Sequence, residues 1–129
     1  MESDVLVVDD SAAIRKILQR VLRQTGMAIR TIHEAGDGQE ALELLKNQTV
    51  NLILTDINMP KMDGIQLLGT IKASAQWHHI PVVMITTEGG ETKVSEAVRL
   101  GAAGYVRKPF TADQIKEKLA GIVESAPRL

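Results

Sequence analysis

The sequence predicts an α/β fold, a doubly wound five-stranded parallel sheet with helices on both faces. Five short apolar runs alternate with five helix-patterned segments along the whole chain. Most of the runs are continuous rather than alternating, the pattern of strands buried on both faces. Regular strand–helix alternation argues for a parallel sheet, and right-handed crossovers leave the doubly wound arrangement as the main candidate.

The first strand is read at residues 5–8, where Val5, Leu6, Val7 and Val8 run together. Ser11 is a natural N-cap for the helix that follows. In that helix Ile14, Ile17, Leu18, Val21 and Leu22 fall at i, i+3, i+4, i+7 and i+8, a single apolar stripe, and Gly26 is its natural stop. Residues 29–32 give the second strand, and Ala41, Leu44 and Leu45 mark the second helix. The third strand is read at 52–55, before a helix carrying Ile65, Leu68 and Ile71. Residues 82–85 give the fourth strand, followed by Val94, Ala97 and Val98 of a helix that stops at Gly101. The fifth strand is read at 104–106, and Ile115, Leu119, Ile122 and Val123 form the last helix. No repeat or linker interrupts this series. A single domain over residues 1–129, its core from about 4 to 124, is expected, with nothing left over for an output domain.

Composition narrows the function. Hydrophobic residues make up 44% and charged residues 24%, ordinary for a globular core, while aromatics are only 2%. The net charge of −1 supplies no basic field to hold nucleic acid or an anionic membrane, so neither is expected as a partner. The absence of cysteine excludes disulfides, thiol nucleophiles and thiolate metal sites. The acidic start, Met1 to Asp4, lacks the basic region of a signal peptide. The longest apolar run, Ile80 to Ile85, falls far short of the ~20 residues that span a bilayer. A soluble, cytoplasmic protein is the expectation.

In an open α/β sheet, ligands bind outside the carboxyl ends of the strands. Reactive groups collect there. Strand one ends in Asp9-Asp10, strand three in Asp56, strand four in Thr86-Thr87, and strand five runs into Lys108-Pro109. One strand-end aspartate is commonly a turn or cap residue, but four strand ends with mutually compatible groups point to chemistry. Three clustered carboxylates repel one another unless a divalent cation is held. Oxygen ligation of this kind suits Mg²⁺, which keeps part of its water shell. Lys108 would hold an edge of an incoming phosphoryl group as a point charge, and Thr86 would donate to one of its oxygens, with Thr87 the rival if the strand ends one residue later. A carboxylate attacking phosphorus with charge stabilised all round is aspartyl-phosphate formation. Asn58, two residues past Asp56, separates a switch from a phosphatase of the haloacid-dehalogenase type, which places a second aspartate there as general acid. An amide cannot transfer that proton, so the acyl phosphate should persist.

These residues resemble a family. Val7-Val8-Asp9-Asp10-Ser11, Leu54-Thr55-Asp56-Ile57-Asn58-Met59-Pro60, Met62-Asp63-Gly64, Met84-Ile85-Thr86 and Gly104-Tyr105-Val106-Arg107-Lys108-Pro109-Phe110 are similar to the motifs of a response-regulator receiver, of the stand-alone CheY-like kind. The match covers essentially the whole chain in order. The resemblance implies the flavodoxin/CheY-like strand order 2-1-3-4-5, which the apolar pattern alone does not give. It implies that Asp56 accepts phosphate from a histidine kinase, CheA-like or other, and that Asp9, Asp10 and Asp56 bind Mg²⁺ with the backbone carbonyl of Asn58. It further implies that Thr86 moves to the phosphoryl group, that Lys108 pairs with it, that Tyr105 follows inward, and that the Lys108-Pro109 bond is cis. The chain is then no conventional enzyme, although it catalyses its own phosphotransfer and slow autodephosphorylation. A downstream protein would bind the face of the fourth helix, fifth strand and fifth helix, with Arg107 a candidate for partner choice, and a monomer is expected.

Asn58 and Glu88 flank the expected path of attacking water and would tune dephosphorylation. The paired glycines Gly89 and Gly90 suit a loop that rearranges cheaply. The chain departs from the CheY-like pattern at Ile57, where that pattern has Trp, so the lone Trp77 should report metal binding poorly. It also departs at Glu88 to Glu91, which lacks the lysines of the enteric proteins. His33, His78 and His79 are read as surface or structural residues, the adjacent pair pointing opposite ways on an extended segment. Kept open are a phosphate relay or sink, a small Mg²⁺ phosphatase, and a flavodoxin-like cofactor binder. The last lacks the Ser/Thr/Gly-rich phosphate loop after strand one.

Overall fold

Residues 3–87 and 91–125 are described by a computed structural model. In chain order the elements are β1 (Ser3–Val8), α1 (Ala12–Gln24), β2 (Ile29–Ala35), α2 (Gly38–Asn47), β3 (Leu52–Asp56), α3 (Gly64–Ala73), β4 (Val82–Thr86), α4 (Glu91–Leu100), β5 (Gly104–Arg107) and α5 (Ala112–Ser125). All strand pairs are parallel, and the sheet order is β2-β1-β3-β4-β5. The order implied by the family resemblance is therefore the observed one.

Each inner strand divides its side chains between two cores. Leu6, Val8, Ile53, Val82 and Met84 face α2, α3 and α4, packing with Ala41, Leu45, Leu67, Leu68, Ile71 and Ala97. Val5, Val7, Leu52, Leu54, Val83 and Ile85 face α1 and α5, packing with Leu18, Leu22, Ile115 and Leu119. Burial on both faces is why these strands read as unbroken apolar runs. The edge strand β2 is only partly covered, with Arg30 and Thr31 exposed.

The helix ends follow local chemistry. Ser11 Oγ accepts from the Ile14 amide, and Gly26 leaves α1 with φ +78°, a left-handed conformation that glycine adopts without strain. Asp37 caps α2, and Asp63 with Gln66 forms a reciprocal capping box on α3. One member of the predicted α1 stripe fails. Ile17 is 43% exposed, because it sits about 100° round the helix from Leu18, at the margin of the buried face.

A second correction concerns His78 and His79. They lie in a turn rather than an extended segment, exposed, with their rings edge-on at 6.2 Å. The Lys72 ammonium holds this turn by donating to the carbonyls of His78 and Ile80, both at 3.0 Å. Trp77 packs against the core beside α2 and α3. No described helix is long and apolar enough to cross a membrane.

Candidate functional site

The sheet order reverses at β1 and β3, and the carboxyl ends of these neighbours define the crevice where such folds bind ligands. Asp9 and Asp10 leave β1, Asp56 closes β3, Thr86 closes β4, and Lys108 leaves β5. Carboxylate oxygens of Asp9, Asp10 and Asp56 lie within 4.8 Å of one another. Lys108 Nζ stands 3.0 Å from Asp9 Oδ2 and 3.6 Å from Asp56 Oδ1. Three acids and one base predicted from separate strand ends are thus brought together.

The three acids are not equivalent. Asp9 is buried, and its carboxylate accepts from the Ser11 amide at 2.9 Å as well as from Lys108. It anchors the lysine. Asp10 is exposed at the rim. Asp56 is buried, and its Oδ1 accepts from the Ile57 amide at 2.8 Å. Burial pushes the Asp56 carboxyl above its ordinary range. The Lys108 ammonium pulls it back, the Asp9 carboxylate pushes it up again, the Ile57 amide lowers it and Asp10 raises it.

The loop after β3 is held by close backbone contacts. Gly64 N donates to Ile57 O at 2.7 Å, and a Cβ on Gly64 would stand 2.2 Å from the Asp56 carbonyl oxygen. Only glycine lets α3 start so near the end of β3. Gly38 N likewise donates to Met62 O at 3.1 Å, tying α2 to the same loop, and Lys61 within it adopts φ +65°. The platform under Asp56 is therefore fixed from two helices.

Thr86 is buried at the end of β4, and its hydroxyl donates to the Thr87 carbonyl at 3.1 Å, while Thr87 itself is exposed. The strand end thus favours Thr86 over its neighbour. Tyr105 is 37% exposed on the edge strand, with Lys118 Nζ 5.6 Å from its ring centre. Arg107 is exposed two residues on, and Val106 between them is buried. The Lys108-Pro109 peptide is cis. Glu88, Gly89 and Gly90 lie outside the described residues.

Two participants escaped sequence reasoning. Arg15 Nη1 donates to the Asp9 carbonyl at 2.6 Å while its Nε bonds Glu34 at 3.1 Å, bracing the acidic pair from α1. Lys93 on α4 donates to Asn58 Oδ1 at 3.1 Å. Neither stands out in sequence, where each is one basic residue in an ordinary helix.

A cluster of three carboxylates, two buried and one at the rim, is an oxygen donor set of the kind that suits a hard divalent cation. It is also the only such group of potential ligands among the described residues. The donor chemistry fits Mg²⁺.

Comparison with known proteins agrees with this fold. The family model described as response regulator receiver domain matches residues 5–120. The chain is 43% identical to chemotaxis protein CheY-3 of Vibrio cholerae over 120 residues, covering 93% of this chain and 91% of that one. It is 41% identical to chemotaxis protein CheY of Pseudomonas aeruginosa, covering 93% and 95%. Among solved structures it superposes on the chemotaxis response regulator CheY4 of Vibrio cholerae with a TM-score of 0.83 at 31% identity, covering 95% and 99%. The receiver domain of NtrX from Brucella abortus gives a TM-score of 0.82 at 34% identity, also covering 95% and 99%.

Proposed function

The chain belongs to the response regulator receiver family, and from that premise we propose that it is a phosphorylation-activated switch whose acceptor is Asp56. Signalling of the two-component kind follows from membership; the residue roles below are our reading. The observation that carries it is the Asp56 carboxylate at the end of β3, 3.6 Å from Lys108 Nζ and clustered with Asp9 and Asp10.

A carboxylate oxygen of Asp56 attacks the phosphorus of the donor. The donor's bond to phosphorus breaks, and its electron pair leaves with the donor. The donor is a histidine kinase, and chemotaxis is the pathway that the names of the relatives support. Asp10 and Asp56, with Asp9 and the Asn58 carbonyl, would hold Mg²⁺, which neutralises charge on the acids and on the phosphoryl oxygens when bound. Lys108, anchored by Asp9, pairs with the transferred group. Asn58 has no acidic proton to give to a leaving oxygen, so the adduct is a state that is held.

Readout needs a differential contact between two states. Moving a population from 1:99 to 99:1 takes about 5.5 kcal/mol. Hydrogen bonds to charged groups contribute about 1.5–3 kcal/mol each, so Thr86 and Lys108 suffice together and neither does alone. In the described state the Thr86 hydroxyl is turned to the Thr87 carbonyl, and Tyr105 is outward. Phosphorylation would draw Thr86 to the phosphoryl group and let Tyr105 follow, altering the face of α4, β5 and α5 on which Tyr105 and Arg107 stand. A monomeric, cytoplasmic protein that hands its signal to a partner through that face is the form this reading takes. Glu88 would tune the lifetime together with Asn58.

Incubation with a small acyl phosphate and Mg²⁺ tests the proposal. Stable labelling of Asp56, absent in Asp56→Asn, supports it. Steady release of inorganic phosphate without an adduct supports a phosphatase instead.

A further inference from the structure

Lys93 is the third residue of α4, and its Nζ donates to Asn58 Oδ1 at 3.1 Å across 35 residues of chain. The two ends of this bond differ in how firmly they are held. Asn58 belongs to the platform after β3, which Gly64 N fixes through Ile57 O and Gly38 N through Met62 O. By contrast α4 is lightly anchored. Ala97 is its one buried side chain among the described residues, Val94 is half-buried, and Val98 and Leu100 are 56% and 38% exposed. Burial of an alanine methyl contributes far less than a leucine would. A helix with so little apolar contact is positioned in substantial part by its polar tethers.

The bond also has a built-in alternative. Its acceptor is a neutral amide two residues from Asp56. A phosphoryl group on Asp56 would place about two negative charges beside that amide where the free carboxylate carried one, and its anionic oxygens attract an ammonium by full charge where the amide offers only a dipole. The flexible lysine stem lets Nζ change partner without moving its backbone far.

We propose that Lys93 is a positioning residue that ties the start of α4 to the phosphorylation site, through Asn58 when Asp56 is free and through the phosphoryl group when it is occupied. The second half rests on Asp56 being the acceptor; the first half does not. Lys93 thereby adds a link, separate from Thr86, between the acceptor and the helix offered to partners.

Amide hydrogen exchange across residues 94–100 reads the tether directly, with Lys93→Met, Lys93→Arg, Asn58→Ala and the Lys93→Met/Asn58→Ala double variant. Without phosphate, Lys93→Met is expected to speed exchange in α4 by up to about fivefold, the range of an exposed polar pair. Asn58→Ala should do the same, the double variant no more than either, and Lys93→Arg should match the wild type. After treatment with acyl phosphate and Mg²⁺, exchange in α4 should slow further in the wild type and less in Lys93→Met. Additive effects of the two single variants, or none, would overturn the tether. A wild type that takes no phosphoryl group overturns the proposed function and the second half with it, while the unphosphorylated cycle still decides the first. A labelled wild type and Lys93→Met that slow equally overturn the second half alone.

Discussion

Asp10→Asn removes one carboxylate from a cluster whose ligand oxygens lie within 4.8 Å of one another. At that separation two unit charges repel by about 1 kcal/mol in water and by about 3.5 kcal/mol at an effective dielectric of 20. Asp10 faces two such neighbours. The Lys108 ammonium, 3.0 Å from Asp9 and 3.6 Å from Asp56, offsets about one of them. One repulsion is left, and because Asp10 is exposed the watery end of the range applies. Metal-free Asp10→Asn should therefore be more stable than the wild type by about 1 kcal/mol. For a domain of this size that raises the thermal midpoint by about 3–5 °C. On the proposed reading Mg²⁺ binds the folded site only, so millimolar Mg²⁺ should lift the wild-type midpoint and do much less for the variant. The assay is a pair of thermal melts for each protein, in chelator and in Mg²⁺, alongside acyl-phosphate labelling, which the substitution should abolish. A variant less stable than the wild type in chelator, or one stabilised equally by Mg²⁺, would refute the repulsion argument.

Burial raises the folded Asp56 carboxyl above its unfolded range. Its contribution to stability is then present below the unfolded range and lost as pH rises through the raised folded value. Metal-free Asp56→Asn should accordingly be more stable than the wild type at neutral pH, with the gap closing toward acid; a gap that widens in acid would contradict this. Gly64→Ala puts a methyl 2.2 Å from the Asp56 carbonyl oxygen and 2.9 Å from Ile57 Cα, both backbone atoms that cannot swing aside. It should lower stability in urea by about 3 kcal/mol and slow phosphorylation as well. Lys61→Asn places a residue that tolerates the left-handed region where φ is +65°, at the loss of an exposed ion pair of 4.0 Å to Asp37. A gain of about 0.5–1 kcal/mol is expected in a urea melt, and a loss would show that the ion pair outweighs the strain.

The sheet was legible in the sequence wherever both faces are buried. Val5 to Val8, Leu52 to Thr55 and Val82 to Ile85 read as strands because every side chain there but that of Thr55 is apolar. The strands run on past those limits to Asp56, Thr86 and Arg107, polar residues that an apolar pattern omits and that form or adjoin the site. The edge strand β2 reaches Ala35 rather than stopping at 32, since half-covered edges carry mixed residues such as His33 and Glu34. Ile17 misled because periodicity gives a helix face but not its width. In the site, Asp9, Asp10, Asp56, Thr86 and Lys108 could be found because strand ends share one edge of a parallel sheet. Arg15 and Lys93 could not, because each acts through a tertiary bond to a backbone carbonyl or an amide, and nothing local marks such a partner. Gly64 stood within a recognisable motif, but its reason, the approach of α3 to the Asp56 carbonyl, exists only in three dimensions.

The central claim is that Asp56 takes and holds a phosphoryl group, and intact mass followed by peptide mapping after acyl-phosphate treatment tests it most directly. One phosphoryl group on Asp56, dependent on Mg²⁺, lost in Asp56→Asn and outlasting removal of the donor, is the expected result. An unmodified wild type, or a label that persists in Asp56→Asn, would contradict it.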